Sequence, residues 1–111
     1  MTEPLIDPEV YAELSDTMGA DFAAELVATF LEDAPTLLAA LKEAAARGDA
    51  DGYRRAAHSL KSNADTFGAP ALAARARAME LGGLTSGAPP VAALEATYAE
   101  TALALKALAD G

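Results

Sequence analysis

The stretch Asp51-Gly52-Tyr53-Arg54-Arg55-Ala56-Ala57-His58-Ser59-Leu60-Lys61-Ser62-Asn63-Ala64-Asp65-Thr66-Phe67 decides how this chain is read. Turned by about 100° per residue, as in an α-helix, Tyr53, Ala56, Ala57, Leu60, Ala64 and Phe67 fall within about 60° of Leu60 and make one apolar face. By the same rotation His58 projects about 160° from Leu60. It lies near the centre of the opposite face, among Asp51, Arg54, Arg55, Lys61, Ser62 and Asp65. The stretch is therefore expected to be an amphipathic helix, terminated at Gly68, that holds the chain's one histidine in water.

Working outward, Gly48 precedes this helix and closes a longer apolar-periodic segment, Asp21 to Arg47. In that segment Phe22, Leu26, Phe30, Leu37, Leu41 and Ala44 repeat at helical spacings. Pro35 inside it cannot donate a backbone hydrogen bond, so it should either kink one helix or divide two near Asp33, and a kink is the favoured expectation. A short first helix, Pro8 to Met18, is signalled by Asp7 as N-cap and Pro8 at the first helical position, with Gly19 at its end. Beyond Gly68 a fourth helix is expected from Pro70 to Leu81. The glycine-rich stretch Gly82–Gly87 then reads as a loop. Pro89 and Pro90 open a last helix with Val91, Leu94, Tyr98, Leu105 and Leu108 on one side. These elements predict an all-α fold: an antiparallel up-down-up-down four-helix bundle with a short extra N-terminal helix on its end or side.

Composition agrees. The chain has 111 residues, enough for a single domain spanning 1–111, and 52% of them are hydrophobic, which excludes a disordered tail. Thirty residues are alanine, against one Ile and three Val, a balance that favours helices over strands. Cysteine is absent, which excludes disulfides, thiolate catalysis, iron–sulfur clusters and cysteine-ligated zinc. One histidine with no second His or Cys gives no zinc ligand set, so no metal site is expected. No Lys-Ser/Thr phosphate loop occurs, so the protein is not expected to use ATP. The net charge of −9 argues against nucleic acid as a partner. The acidity is uneven: residues 1–46 sum to −9 and 78–111 to −3, while residues 47–77, around His58, sum to +3. The N-terminus lacks a basic start followed by an apolar run, and no stretch is long enough to span a membrane; a cytoplasmic, soluble protein is expected.

A solvent-facing imidazole is a nucleophile near neutral pH, and an exposed helix face lets a partner bring an acyl phosphate in line with it. Lys61, at i+3, can offset charge developing on the phosphoryl oxygens. Ser62, at i+4, leaves space beside the ring. Arg54 and Arg55, one turn earlier, can meet an acidic partner surface, or simply solubilise the helix.

The run Ala57-His58-Ser59-Leu60-Lys61-Ser62-Asn63-Ala64, followed by Phe67-Gly68-Ala69 and Leu72, resembles the phosphoacceptor motif of histidine-containing phosphotransfer (HPt) domains. That pattern is Ala-His-x-Leu-Lys-Gly-(Ser/Ala), then Gly-Ala and a Leu at the start of the next helix. Met79-Glu80 stands where that helix often carries a Leu-Glu pair. Phe30-Leu31-Glu32-Asp33-Ala34-Pro35 and Leu37-Leu38-Ala39-Ala40-Leu41 resemble the helix before the histidine, so the likeness covers most of the chain. The resemblance implies a phosphorelay intermediate that accepts a phosphoryl group at Nε2 of His58, with Lys61 in electrostatic support. It also implies receiver domains of response regulators or hybrid histidine kinases as partners. No cofactor is expected on the chain itself; any magnesium belongs to the receiver. With no added dimerisation helix, a monomer is expected.

Two positions depart from the family pattern. Ser62 replaces a usual glycine and narrows access slightly. Asp65, at i+7 from His58, puts an acid almost in line with the histidine, where it either pairs with Lys61 or affects the lifetime and transfer bias of the phosphorylated form. Leu14, Met18 and Phe22 are candidates for an apolar docking patch. The competing reading is a helical adaptor that binds a receiver through the same face without being phosphorylated. Loss of His58 would leave the function of such an adaptor intact.

Overall fold

The computed structural model describes residues 5–83 and 91–110. Among these residues it has five α-helices and no strand: α1 Pro8–Met18, α2 Ala20–Arg47, α3 Ala50–Thr66, α4 Pro70–Gly82 and α5 Val91–Asp110. Expected and observed helix ends agree to within one residue wherever both are described. Pro89, Pro90 and most of the expected 82–87 loop lie outside the described residues, and Gly82 itself closes α4.

The caps follow local chemistry. The Asp7 side chain accepts from the Glu9 backbone N–H at 3.1 Å, and that of Asp49 from Gly52 at 3.0 Å, each satisfying a donor left free at a helix start. Gly48, with φ of 71°, takes the left-handed turn that ends α2. Gly68 has φ of 66° and also lies under α1: a Cβ there would stand 2.5 Å from Val10 Cβ, and its carbonyl accepts from the Asp7 N–H at 2.7 Å. The glycine thus terminates α3 and provides the seat on which α1 rests.

α3 packs chiefly on α4 and α2, while α2 also contacts α5 and α1, and α4 contacts α5. The apolar face of α3 is buried as its spacing predicts: Tyr53, Ala57, Leu60 and Ala64 are at most 1% exposed, with Ala56 and Phe67 also in the core. The stripe of α2 differs from expectation. Phe22 is exposed, and Leu26 and Leu37 are half-buried, whereas Ala23, Val27, Ala34 and Leu38 join Phe30, Leu41 and Ala44 in the core. Both sets satisfy helical spacing. The alanine-rich one faces the neighbouring helices because small side chains let the helix axes approach, and the larger leucines close the edges. In α5, Thr97 and Thr101 are buried beside Leu94 and Leu105, while Val91, Tyr98 and Leu108 are half-buried. The two hydroxyls are satisfied by the carbonyls of Ala93 and Thr97, at 3.1 and 2.7 Å.

Pro35 is accommodated inside a continuous α2. A proline has no N–H to give the carbonyl four residues earlier, here that of Leu31. That carbonyl accepts instead from the Tyr98 hydroxyl of α5 at 3.4 Å. The Tyr98 ring also meets Phe30 edge-on at a centroid distance of 6.0 Å, and Phe30 packs on Phe67 at 5.3 Å, joining α5, α2 and the end of α3. Tyr53, by contrast, is fully buried with no hydrogen-bond partner for its hydroxyl among the described residues.

Two predictions follow from these contacts. Replacing Tyr53 by Phe removes an unsatisfied buried hydroxyl and is expected to leave stability unchanged or raise it, whereas Tyr98→Phe is expected to cost about 1 kcal/mol; urea-denaturation midpoints for the two variants check this contrast. Gly68→Ala, forced into a left-handed backbone and against Val10, is expected to cost about 2 kcal/mol or more, read as a lower midpoint at unchanged slope.

Candidate functional site

Burial of Ala57 and Leu60 turns the neighbouring His58 outward, where its side chain is 59% exposed. The ring is not free to rotate. Nδ1 lies 2.7 Å from Oε2 of Glu80, which reaches across from α4 and is itself only 23% exposed. Burial of Ala76 and Met79 sets the rotation of α4 and brings Glu80 to the seam with α3. An ionised carboxylate can only accept, so with a neutral ring this contact selects the tautomer that carries its proton on Nδ1 and its lone pair on Nε2. Nε2 has no hydrogen-bond partner among the described residues.

The imidazole forms a ridge between two open hollows. One is lined by Asp51, Arg54, Arg55, Ser59 and Glu80 together with His58. The other is lined by Asp33, Thr36 and Leu37 of α2 with Ser59, Ser62, Asn63 and again His58. The structure therefore brings Arg54 and Arg55 to one side of the histidine and Ser62 to the other. Arg54 is paired with Asp51 at 2.9 Å, and Arg55 Nε donates to the Asp51 carbonyl at 3.4 Å. Lys61 and Asp65 line neither hollow. They pair with each other, Nζ to Oδ2, at 3.5 Å. The expected ion pair is thus formed, and in this state the ammonium is engaged by Asp65.

Of the docking candidates, Met18 and Phe22 are exposed at 50% and 42%, while Leu14 is half-buried against the core. Phe22 precedes Asp33, the first α2 residue at the His58 hollow, by eleven positions, about 16 Å of helix. The position of Glu80 at the histidine was not read from sequence. The only signal available was its place beside Met79 near the end of α4. Among the described residues no group of three or more His, Cys, Asp or Glu side chains could hold a metal ion, and no helix is long and apolar enough to cross a membrane.

Three comparisons bear on this arrangement. The family model described as Hpt domain matches residues 25–109. The fold is similar to the crystal structure of histidine-containing phosphotransfer protein B (HptB) from Pseudomonas aeruginosa PAO1, with a TM-score of 0.79 and 28% sequence identity over 98% of this chain and 94% of that one. No curated protein sequence matches significantly. A match over most of the chain, together with an exposed histidine in the middle of a helix, makes this protein a member of the Hpt domain family, the histidine phosphotransfer proteins of phosphorelays.

Proposed function

We propose that His58 is the phosphoacceptor, taking a phosphoryl group at Nε2 from an aspartyl phosphate of one receiver domain and passing it to another. The observation that carries this reading is the 2.7 Å contact between Nδ1 and Glu80 on an otherwise exposed ring. In the forward step the Nε2 lone pair attacks phosphorus, the N–P bond forms as the P–O bond to the aspartyl carboxylate breaks, and that carboxylate leaves with the electron pair. The ring, with a proton on Nδ1 and phosphorus on Nε2, becomes an imidazolium. Glu80 is placed to offset that positive charge and to hold the reactive tautomer, much as a carboxylate orients a catalytic histidine in other nucleophilic sites. No proton has to leave the ring, so the reverse transfer retraces the same path.

In this reading Lys61 assists the phosphoryl oxygens, Ser62 leaves room for the receiver's loops, and Arg54 and Arg55 meet an acidic receiver surface on their side of the ridge. Asp65 acts on the same face through Lys61. The chain carries no nucleotide or metal of its own and relies on the receiver for magnesium. Helices α2 to α5 form the antiparallel four-helix bundle with α1 as the added helix, a reading supported by the contacts of α2 with α3 and α5 and of α4 with α3 and α5. Residues 1–111 act as one Hpt unit, monomeric and cytoplasmic.

Incubation with a phosphorylated receiver domain is expected to place an acid-labile, base-stable label on the protein, and His58→Gln is expected to abolish it. Label that persists in His58→Gln, or that never forms on the wild type, removes the carrier reading; retained function in His58→Gln would favour the adaptor. Glu80→Gln, whose amide can donate to Nδ1 and favour the wrong tautomer, is expected to slow phosphotransfer by about 10- to 100-fold, the scale of a hydrogen bond to a charged group. Rapid-quench kinetics at saturating receiver separates this from a loss of binding.

A further inference from the structure

We infer that Asp65 is a positioning residue that competes with the phosphoryl group for Lys61, and so biases the carrier toward giving its phosphoryl group away. The inference rests on His58 being the phosphoacceptor.

The three side chains share one face of α3. At about 100° and 1.5 Å per residue, Asp65 stands two turns beyond His58 and about 20° off its line, with Lys61 between them. The ammonium can therefore serve either end. It serves Asp65 here, at 3.5 Å, with side chains 31% and 56% exposed.

Two features make this pairing a weak hold and not a fixed lock. Long helical side chains lean toward the helix N-terminus, which for Lys61 is the side of His58, so Asp65 draws the ammonium against its ordinary direction. A pair with the cation before the acid at i, i+4 is also the less favourable order on a helix. A phosphoryl group on Nε2 offers the same ammonium a dianion one turn back. The nearby cation Arg54 is already held by Asp51 at 2.9 Å. Lys61 is thus shared between a permanent acid and a transient one.

The consequence has a direction. Whatever fraction of the time Asp65 holds Lys61, phospho-His58 lacks its support, and the phosphorylated state is less stable relative to both outcomes that discharge it. In transfer, the N–P bond breaks as an O–P bond forms to the receiver carboxylate. In hydrolysis, water supplies the oxygen, inorganic phosphate leaves, and the lone pair returns to Nε2. No further reactant is needed for either. Removing the Asp65 charge frees Lys61 and favours the phosphohistidine.

The test uses full-length wild type, Asp65→Asn, Lys61→Ala and the double variant, each phosphorylated by a receiver domain charged with acetyl phosphate. Phosphohistidine half-life is measured after the receiver is removed, and the phosphoryl equilibrium with the receiver is measured separately. Asp65→Asn is expected to lengthen the half-life and move the equilibrium toward phospho-His58 by about twofold, the scale of one helix-surface pair. Both effects should disappear in the Lys61→Ala background and shrink at 1 M salt. Unchanged half-life and equilibrium in Asp65→Asn, or a change that persists without Lys61, overturns the competition while leaving His58 as carrier. Absence of label from the wild type overturns both.

Discussion

The site depends on the rotational setting of α3. Tyr53, Ala57, Leu60 and Ala64 are almost completely removed from water, and they come from one face of a helix held between α2 and α4. Rotating that helix by one residue would bury charged or polar groups without partners and expose the aromatic and leucine side chains, and either change costs several kcal/mol. The apolar face therefore determines where the polar face points. Two positions before Leu60, His58 is fixed outward as firmly as Leu60 is fixed inward, and Arg54, Lys61, Ser62 and Asp65 go with it.

The second element of the site comes from α4. Glu80 belongs to a helix whose rotation is set independently by Leu72, Ala76 and Met79, and its carboxylate reaches His58 only because α3 and α4 share a close interface. One hydrogen bond ties the ring at Nδ1 across the α3–α4 seam, and in the proposed function it places a negative charge beside the cation that phosphorylation of Nε2 would create. In that reading the chain contributes position and charge, the hard parts of phosphoryl transfer. The same economy appears where α2 meets α5. Pro35 deprives the Leu31 carbonyl of its helical donor, and the Tyr98 hydroxyl of a neighbouring helix takes that place.

Local signals in the chain were sufficient for the helices, because caps, glycine stops and the helical period act over a few residues. Asp7, Gly19, Gly48 and Gly68 mark ends that the structure reproduces. The polar face of α3 was equally legible, since its residues differ strongly in hydropathy from those opposite. The core stripe of α2 was less so. With alanine on every side, the sets containing Phe22 and Leu26 or Ala23 and Val27 have the same period, and only the closeness of the neighbouring helices selects between them.

By itself the sequence determined that the chain is helical and that His58 faces water with a lysine one turn on, because both depend on spacing within single helices, and its motif already resembled that of the Hpt family. Only the tertiary structure decided that Glu80 holds Nδ1, that Lys61 leans to Asp65, and that Tyr98 satisfies the Leu31 carbonyl. Two of these contacts join helices whose relative height is set by side-chain volumes packed across an interface, which spacing along the chain does not encode. The third is a choice between two partners of one flexible side chain, and its outcome depends on where the charges sit in space.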